Sequence, residues 1–386
     1  MKLAIVLVAA VAIAAEKPAV WIGPPAANNG SCLREMFEHP DEWKETRSMT
    51  DVLFYADHNF QKQFNDEELR AWFAEMKGWK TRLGLEVGAV KEWGQTGEIT
   101  FDKERPIWER IERLGGKISA IALDEPLVCV RNRLKKPDQY AVDETAAYIA
   151  LVRKNFPDIR IGDIEVYPSF TIADNIWWIE ALNKRLAEMQ VKGLDFYRLD
   201  VNWVVFAVQN RGSWREVKQL EQYCRSKGLP FSLIYWAAGY PPVQRLGLAD
   251  DSTWYTMIMQ QAYDYALNGG HPDEYVIESW VGAPSQGVPE AGAFSFTNSV
   301  RDFVRKFVHK KHFLLPVSNT CFKLLLYGTA QSGFGRRPDP GKTARGRGAR
   351  VRGTGVSRRD GARDLQPGGG ERRRRQLLLR RQSRTL

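Results

Sequence analysis

The sequence predicts a single-domain closed (β/α)8 barrel, on three observations. Eight apolar segments, at residues 20–23, 52–57, 83–88, 118–124, 161–167, 194–202, 231–236 and 275–280, run into a carboxylate or an aromatic side chain. Each is followed by a polar loop and an amphipathic stretch, with no bare hairpin among them. Their starts fall roughly 30 to 45 residues apart, the length that a strand, a crossover helix and two short loops require. Eight such units in series close on themselves, and barrels of this kind carry their chemistry at the carboxyl ends of the strands.

The chain ends depart from the pattern. Residues 1–15 hold Lys2, an apolar run from Leu3 to Ile13 and small residues at Ala12 and Ala14, which reads as a secretory signal cleaved near Ala14 or Ala15. No later segment approaches the ~20 apolar residues that a membrane helix needs. A secreted or periplasmic monomer with no membrane partner is expected, its barrel spanning 16–315. Residues 331–386 hold 17 Lys and Arg against four Asp and Glu, so the first 330 carry a net charge of −3 while the whole chain carries +10. The basic excess therefore belongs to the tail, and the barrel has no charge that points to nucleic acid. The tail, 316–386, is too poor in aromatic and β-branched residues to bury a core. It is either an arm for anionic surfaces or the product of a shifted reading frame. The second reading is preferred, and no function is drawn from the tail.

Four cysteines remain, Cys32, Cys129, Cys224 and Cys321. Export permits a bridge, and Cys32 with Cys129 is the pair placed to meet. Free, structural cysteines are nevertheless the expectation, because Cys224 shares a helical face with Trp214, Val217 and Leu220 and no zinc-type spacing exists.

Strand alternation proposes which side chains face the barrel interior, if the apolar face of each strand is the one that packs on helices. By that test Glu86 points inward on the third strand and Asp124 on the fourth, with Glu125 at the tip. Asp163, Glu165 and Tyr167 point inward on the fifth, and Arg198, Asp200 and Asn202 on the sixth. Glu278 lines up with Trp280 on the eighth, and Asp57 with Tyr55 on the second. Any one carboxylate near a strand end is more often a structural partner than a reagent. Six strands delivering acids to one mouth call for a chemical reason, since crowded carboxylates raise one another's pKa. Arg198 and His58 stand near enough to offset part of that charge. Trp93, Trp203, Trp236, Tyr240 and Trp280 lie at or just past strand ends, where flat apolar faces suit the C–H surface of sugar rings.

The segment Leu123-Asp124-Glu125-Pro126 resembles the Asn-Glu-Pro motif that ends the fourth strand of clan A retaining glycoside hydrolase barrels, with Asp in place of Asn. The resemblance implies that Glu125 is an acid/base. That clan carries its nucleophilic Glu on the seventh strand, where this chain has Trp236 and no carboxylate, and the nearest Glu is Glu278 one strand later. Asp163-Ile164-Glu165 is similar to the Asp-x-Glu ending of chitinase-type barrels, in which the Glu is the acid and the Asp orients it. A carbohydrate substrate and paired-carboxylate hydrolysis without a cofactor or metal are therefore expected. Glu165 supported by Asp163 is the first choice of acid and Glu125 the second. Asp200 and Glu278 are the candidates for nucleophile or base. Asp57, Glu86, Trp93, Asp124, Tyr167, Arg198, Asn202, Trp203, Trp236 and Trp280 would hold the sugar. Two alternatives stay open: a metal-dependent sugar isomerase or lyase with Glu86, Asp124 and Glu165 as ligands, and a glycan-binding barrel without catalysis.

Overall fold

The computed structural model describes residues 17–309. The expected signal segment, the tail and Cys321 lie outside these residues. Eight strands, β1 (Ala19–Gly23), β2 (Val52–Ala56), β3 (Arg82–Val87), β4 (Ile118–Asp124), β5 (Arg160–Tyr167), β6 (Phe196–Val201), β7 (Phe231–Tyr235) and β8 (Glu274–Glu278), pair in sequence order and close into a barrel. Every pairing is parallel, and closure joins Gly23 to Glu278 in register. Parallel neighbours need crossovers, supplied by α1 (Ala27–Glu38), α2 (Asp66–Met76), α3 (Gly97–Arg113), α4 (Asp138–Asn155), α5 (Ile172–Glu188), α6 (Trp214–Ser226) and α7 (Asp251–Leu267), while α8 (Phe296–Phe303) follows the last strand. Asn65, Thr171 and Asp250 begin α2, α5 and α7 with reciprocal capping boxes that satisfy backbone donors at those helix starts. No described helix is long and apolar enough to cross a membrane.

Both faces of the strands are buried. Leu83, Leu85, Ile121, Leu123, Tyr197 and Leu199 meet the helices, while Trp21, Phe54, Ala120, Ala122, Phe196 and Val276 fill the barrel. Inside, the Trp21 ring meets Phe54 edge-on at 5.7 Å and Phe196 at 5.5 Å. The Arg198 guanidinium lies 4.3 Å from the Trp21 ring centre and 4.6 Å from that of Phe54. Burying each such aromatic contributes roughly 1.5–3 kcal/mol.

The alternation test gives the correct face on β3, β4, β6 and β8 and the wrong one on β5. Ile164 packs inside the barrel, and Asp163 and Glu165 point into the helix layer. The interior of a barrel is a packed core rather than a pore, so an apolar face does not by itself face the helices. Volume decides the phase. A Cβ on Gly162 would come within 2.0 Å of the Phe196 ring, so the residue beside that ring must be glycine and must face inward. Asp57 is turned outward in the same way, because Phe54 and Ala56 take the inner face of β2.

Gly162→Ala should therefore lower stability by about 2 kcal/mol through overpacking. A thermal melt checks it, and an unchanged melting temperature would show that the Phe196 ring moves aside freely.

Candidate active site

The carboxyl ends of the strands surround an open cleft of about 540 Å³. Glu86 from β3, Asp124 and Glu125 from the end of β4, Asp200 from β6 and Glu278 from β8 line it, together with His58, Tyr167, Asn202, Trp236 and Trp280. Closure of the barrel is what collects them, since β3 and β8 are far apart in sequence. Gly23 makes room on the β1 side: a Cβ there would stand 2.8 Å from the Glu278 side chain.

Glu125 is carried on a turn held from behind. Its backbone is left-handed (φ 48°, ψ 51°), a conformation that is uncommon for a residue with a Cβ. The Glu125 amide donates to Ile164 O at 3.0 Å, and the Cys129 amide donates to Glu125 O at 3.0 Å. From the helix layer Glu165 accepts from the Leu127 amide at 2.7 Å. Glu165 is thus a clamp on the turn, and it does not line the cleft. Asp163 likewise accepts from the Trp178 indole N–H of α5 at 2.7 Å. Burial pushes both carboxyls well above their ordinary range.

Burial, reinforced by Asp124 next to it, also lifts Glu125 to about 7, while Lys91 and Arg133 pull the other way. Glu278 rises to about 7 through burial, against the pull of Arg198 and a hydrogen bond with Glu86 and with Asp124 adding to the rise. Glu86 is pushed well above the carboxylate range by burial and then by Asp124 and Glu278. Asp200 rises by burial and then through Glu125, with Trp236 opposing. The mouth is therefore a place where carboxyl groups keep protons near neutral pH.

Two cations temper it. Lys91, in the loop after β3, puts Nζ 2.5 Å from Asp124 Oδ2. Sequence reading missed this residue, because only the folded-back loop, closed by the Lys91–Gly94 bridge, turns it toward β4. Arg198 was expected on the cleft wall and is instead fully buried beneath it, donating to Ser232 Oγ at 3.0 Å and standing 3.7 Å from Glu274. Burial lowers its pKa to about 10 against the attraction of Glu274, Glu278 and Glu86. It is a counter-charge from below, with the barrel aromatics around it.

Other expected contacts are also relocated. Asp57 accepts from the Trp108 indole at 3.0 Å, outside the cleft. Trp203 is buried in the packing around the barrel, and Trp93 is exposed on its loop with Lys103 over its ring, neither lining the cleft. Tyr167 is among the residues lining the cleft, while its hydroxyl donates to Glu216 and accepts from the Ser213 amide. Trp236 and Trp280 line the cleft, their ring centres 4.5 Å apart. The metal set Glu86, Asp124 and Glu165 is not assembled, because Glu165 faces the helices. Cys32, Cys129 and Cys224 are free and buried.

No protein-family profile matches the chain, and no curated protein matches it. Among solved structures it is similar to a glucosidase from Croceicoccus marinus, with 12% identity and TM-score 0.44 over 76% of this chain and 68% of that one. It is also similar to a GH10 endoxylanase from a sugarcane soil metagenome, with 11% identity and TM-score 0.44 over 74% of this chain and 96% of that one. An aldo/keto reductase from Brucella melitensis stands at 11% identity and TM-score 0.40 over 74% and 87%. Likenesses at this level, spread over unlike chemistries, carry no argument about the reaction.

The outward-turned acids make a pH prediction. Burial raises Asp57 from 3.8 to about 7 in the fold, so between those values the unfolded chain releases a proton that the folded chain keeps. Its contribution to stability is complete below about pH 4 and is lost as pH rises through about 7, up to ~4 kcal/mol for an isolated group. Asp57→Asn should raise the melting temperature at pH 8 and leave it nearly unchanged at pH 4. An equal effect at both pH values would contradict the buried protonated acid.

Proposed function

We propose that the protein is a glycoside hydrolase in which Glu125 is the general acid and Asp200 the partner carboxylate. The observation that carries the reading is the single cleft shared by five carboxyl side chains and the Trp236–Trp280 pair. Glycosidic cleavage needs one carboxyl group that holds a proton and another that attacks the anomeric carbon or activates water. Glu125 suits the first role: it stands at the cleft edge on a clamped turn, and its pKa near 7 keeps the proton available without making it too weak an acid. Asp200 stands on β6, close enough to Glu125 for the Glu125 charge to raise its pKa. In the reacting complex protonated Glu125 hydrogen-bonds the leaving oxygen, and Asp200, whose proton has first passed to solvent through the open cleft, is the ionised partner.

Trp236 and the half-exposed Trp280 offer flat faces to a sugar ring. Asn202, at the tip of β6, and the Asp124 oxygen not taken by Lys91 are placed to meet hydroxyls. The reading includes export, which rests on the composition of residues 1–15 alone. Glu165 enters it only as the clamp behind Glu125.

Glu125→Gln keeps the shape and removes the proton, so kcat on a glycan with a poor leaving group should fall by ~10² to 10⁴. An aryl glycoside whose leaving group departs without protonation should lose far less. Asp200→Asn should slow both substrates alike, and normal turnover of the glycan by both variants would end this assignment.

The rate should decline as pH rises through about 7, where Glu125 loses its proton. Lys91→Met removes a cation that favours the ionised acid, so that decline should move to higher pH. A downward move would show that Lys91 acts on another group.

A further inference from the structure

Lys91 acts at the mouth only while its side chain stays on Asp124, and the loop that carries it is held from one helix face. β3 ends at Val87 and the chain reverses at once: Ala89 is left-handed (φ 55°), and the Val90 amide donates to Gly88 O at 2.7 Å. Lys91 and Gly94 then exchange both backbone hydrogen bonds, at 2.9 and 3.0 Å. A residue with a Cβ persists in the left-handed region only where its surroundings hold it.

The hold comes from α3. Thr100 Oγ1 donates to Gly94 O at 2.6 Å, and one turn later Glu104 Oε1 accepts from the Gly88 amide at 2.6 Å. The i, i+4 spacing puts both side chains on one face of the helix, so a single surface grips the loop at each end. Lys103 adds a hydrogen bond to Trp93 O. Space is as tight as the bonding: a Cβ on Gly88 would stand 3.1 Å from Glu104 Oε1, 3.1 Å from Lys91 Cγ and 2.9 Å from the Trp93 ring. The Glu104 carboxyl and the Lys91 stem lie against the same residue.

Glu104 itself has no route to a substrate. It is 2% exposed, it does not line the cleft, and the Tyr148 hydroxyl of α4 donates to its second oxygen. Burial and then Asp57, just past β2, push its pKa well above the carboxylate range, while Tyr148, the Gly88 amide and Lys91 oppose them. A buried acid bonded through both oxygens is a rigid strut.

We propose that Glu104 is a positioning residue for Lys91: its grip on the Gly88 amide sets Lys91 Nζ against Asp124, and so places a cation beside Glu125. The inference rests on the hydrolase reading only for the consequence at Glu125. Lys91 is faced by Asp124 and Glu125 from the end of β4, Glu86 from β3, Cys129 from the turn after β4, Glu104 from α3, and Asp163 and Glu165 from β5. Burial works against its ammonium, yet Asp124, Glu125 and Glu86 raise its pKa on balance. Glu125 in turn faces Asp124, Lys91 and Arg133, with Asp200 and Glu165 also within reach of its charge.

Acylation of Lys91 in the folded full-length chain tests this, read by peptide mass spectrometry after brief treatment with acetic anhydride near neutral pH. A lysine released from its carboxylates returns toward its ordinary pKa and presents more free amine to the reagent. Glu104→Ala, and Glu104→Met, which fills the space without an acceptor, should each raise Lys91 labelling about tenfold and leave lysines remote from the loop unchanged. Glu104→Gln keeps an acceptor for the Gly88 amide, and the Tyr148 hydroxyl can turn to accept from the new amide, so its labelling should stay near that of the wild type. Wild-type labelling in both Glu104→Ala and Glu104→Met, or a Glu104→Gln rate equal to theirs, overturns the proposal. Where neither of the first two variants folds, amide exchange in the unaltered chain decides: protection of Gly88 equal to that of the β3 amides supports the grip, and exchange at the rate of an open loop ends it.

The pH dependence of turnover separates positioning from bulk support. Glu104→Met should move the decline near pH 7 upward as far as Lys91→Met does, and the two changes together should move it no farther than either alone. A merely structural role lowers the amount of folded enzyme and leaves the decline in place, so a decline that stays put while labelling rises overturns the link to Glu125. The two readings fail separately. Raised labelling with no turnover of any glycoside keeps the positioning role and removes the hydrolase. Turnover with labelling and pH decline both indifferent to Glu104→Met keeps the hydrolase and removes the positioning role.

Discussion

In a closed parallel barrel every strand is buried on both faces, and that constraint governs the rest of this structure. A polar side chain on either face must find a partner or keep its proton, because an unpaired ionised carboxylate inside a protein is costly. The outward acids find partners in the helix layer: Asp163 in the Trp178 indole, Glu165 in the Leu127 amide, Asp57 in the Trp108 indole. Glu104 of α3 belongs to the same layer, accepting from the Gly88 amide and the Tyr148 hydroxyl. Only at the carboxyl mouth does one face meet open space, and the acids there have mainly one another.

Mutual crowding then becomes a chemical resource. Glu86, Glu125, Asp200 and Glu278 all rise above the ordinary carboxylate range, with burial as the first cause in each case. Two cations keep the assembly from being wholly neutral, and they work by different routes. Lys91 makes a direct ion pair with Asp124 at the rim. Arg198 acts through low-dielectric protein from the floor, where aromatic faces stand in for part of its lost hydration. Each could shift the balance of protons at the mouth without touching a substrate.

The turn at Glu125 joins the two layers. A left-handed non-glycine residue persists only where its surroundings hold it, and here the hold comes from β5: the Ile164 carbonyl takes the Glu125 amide while the Glu165 carboxyl takes that of Leu127. The acid on β5 that resembles a reagent in sequence is therefore part of the support for the acid on β4. A carboxylate two residues from another at a strand end is as suited to a scaffold as to a reaction.

Much of the fold was legible in the chain. Periodicity and spacing are local properties, so the eight strands, their order and their parallel closure follow from sequence, as do the inward faces of Glu86, Asp124, Asp200 and Glu278. Alternation determines which residues of a strand share a face, but it leaves open which face is inside. That choice belongs to the tertiary structure, because the interior and the helix layer are equally apolar and only volume separates them: Gly162 against the Phe196 ring on β5, and Phe54 with Ala56 on β2. The depth of Arg198 and the return of Lys91 toward Asp124 depend on neighbours brought together by closure and by a folded loop. Sequence thus determined the set of carboxyls offered to the mouth, and packing decided which of them face it.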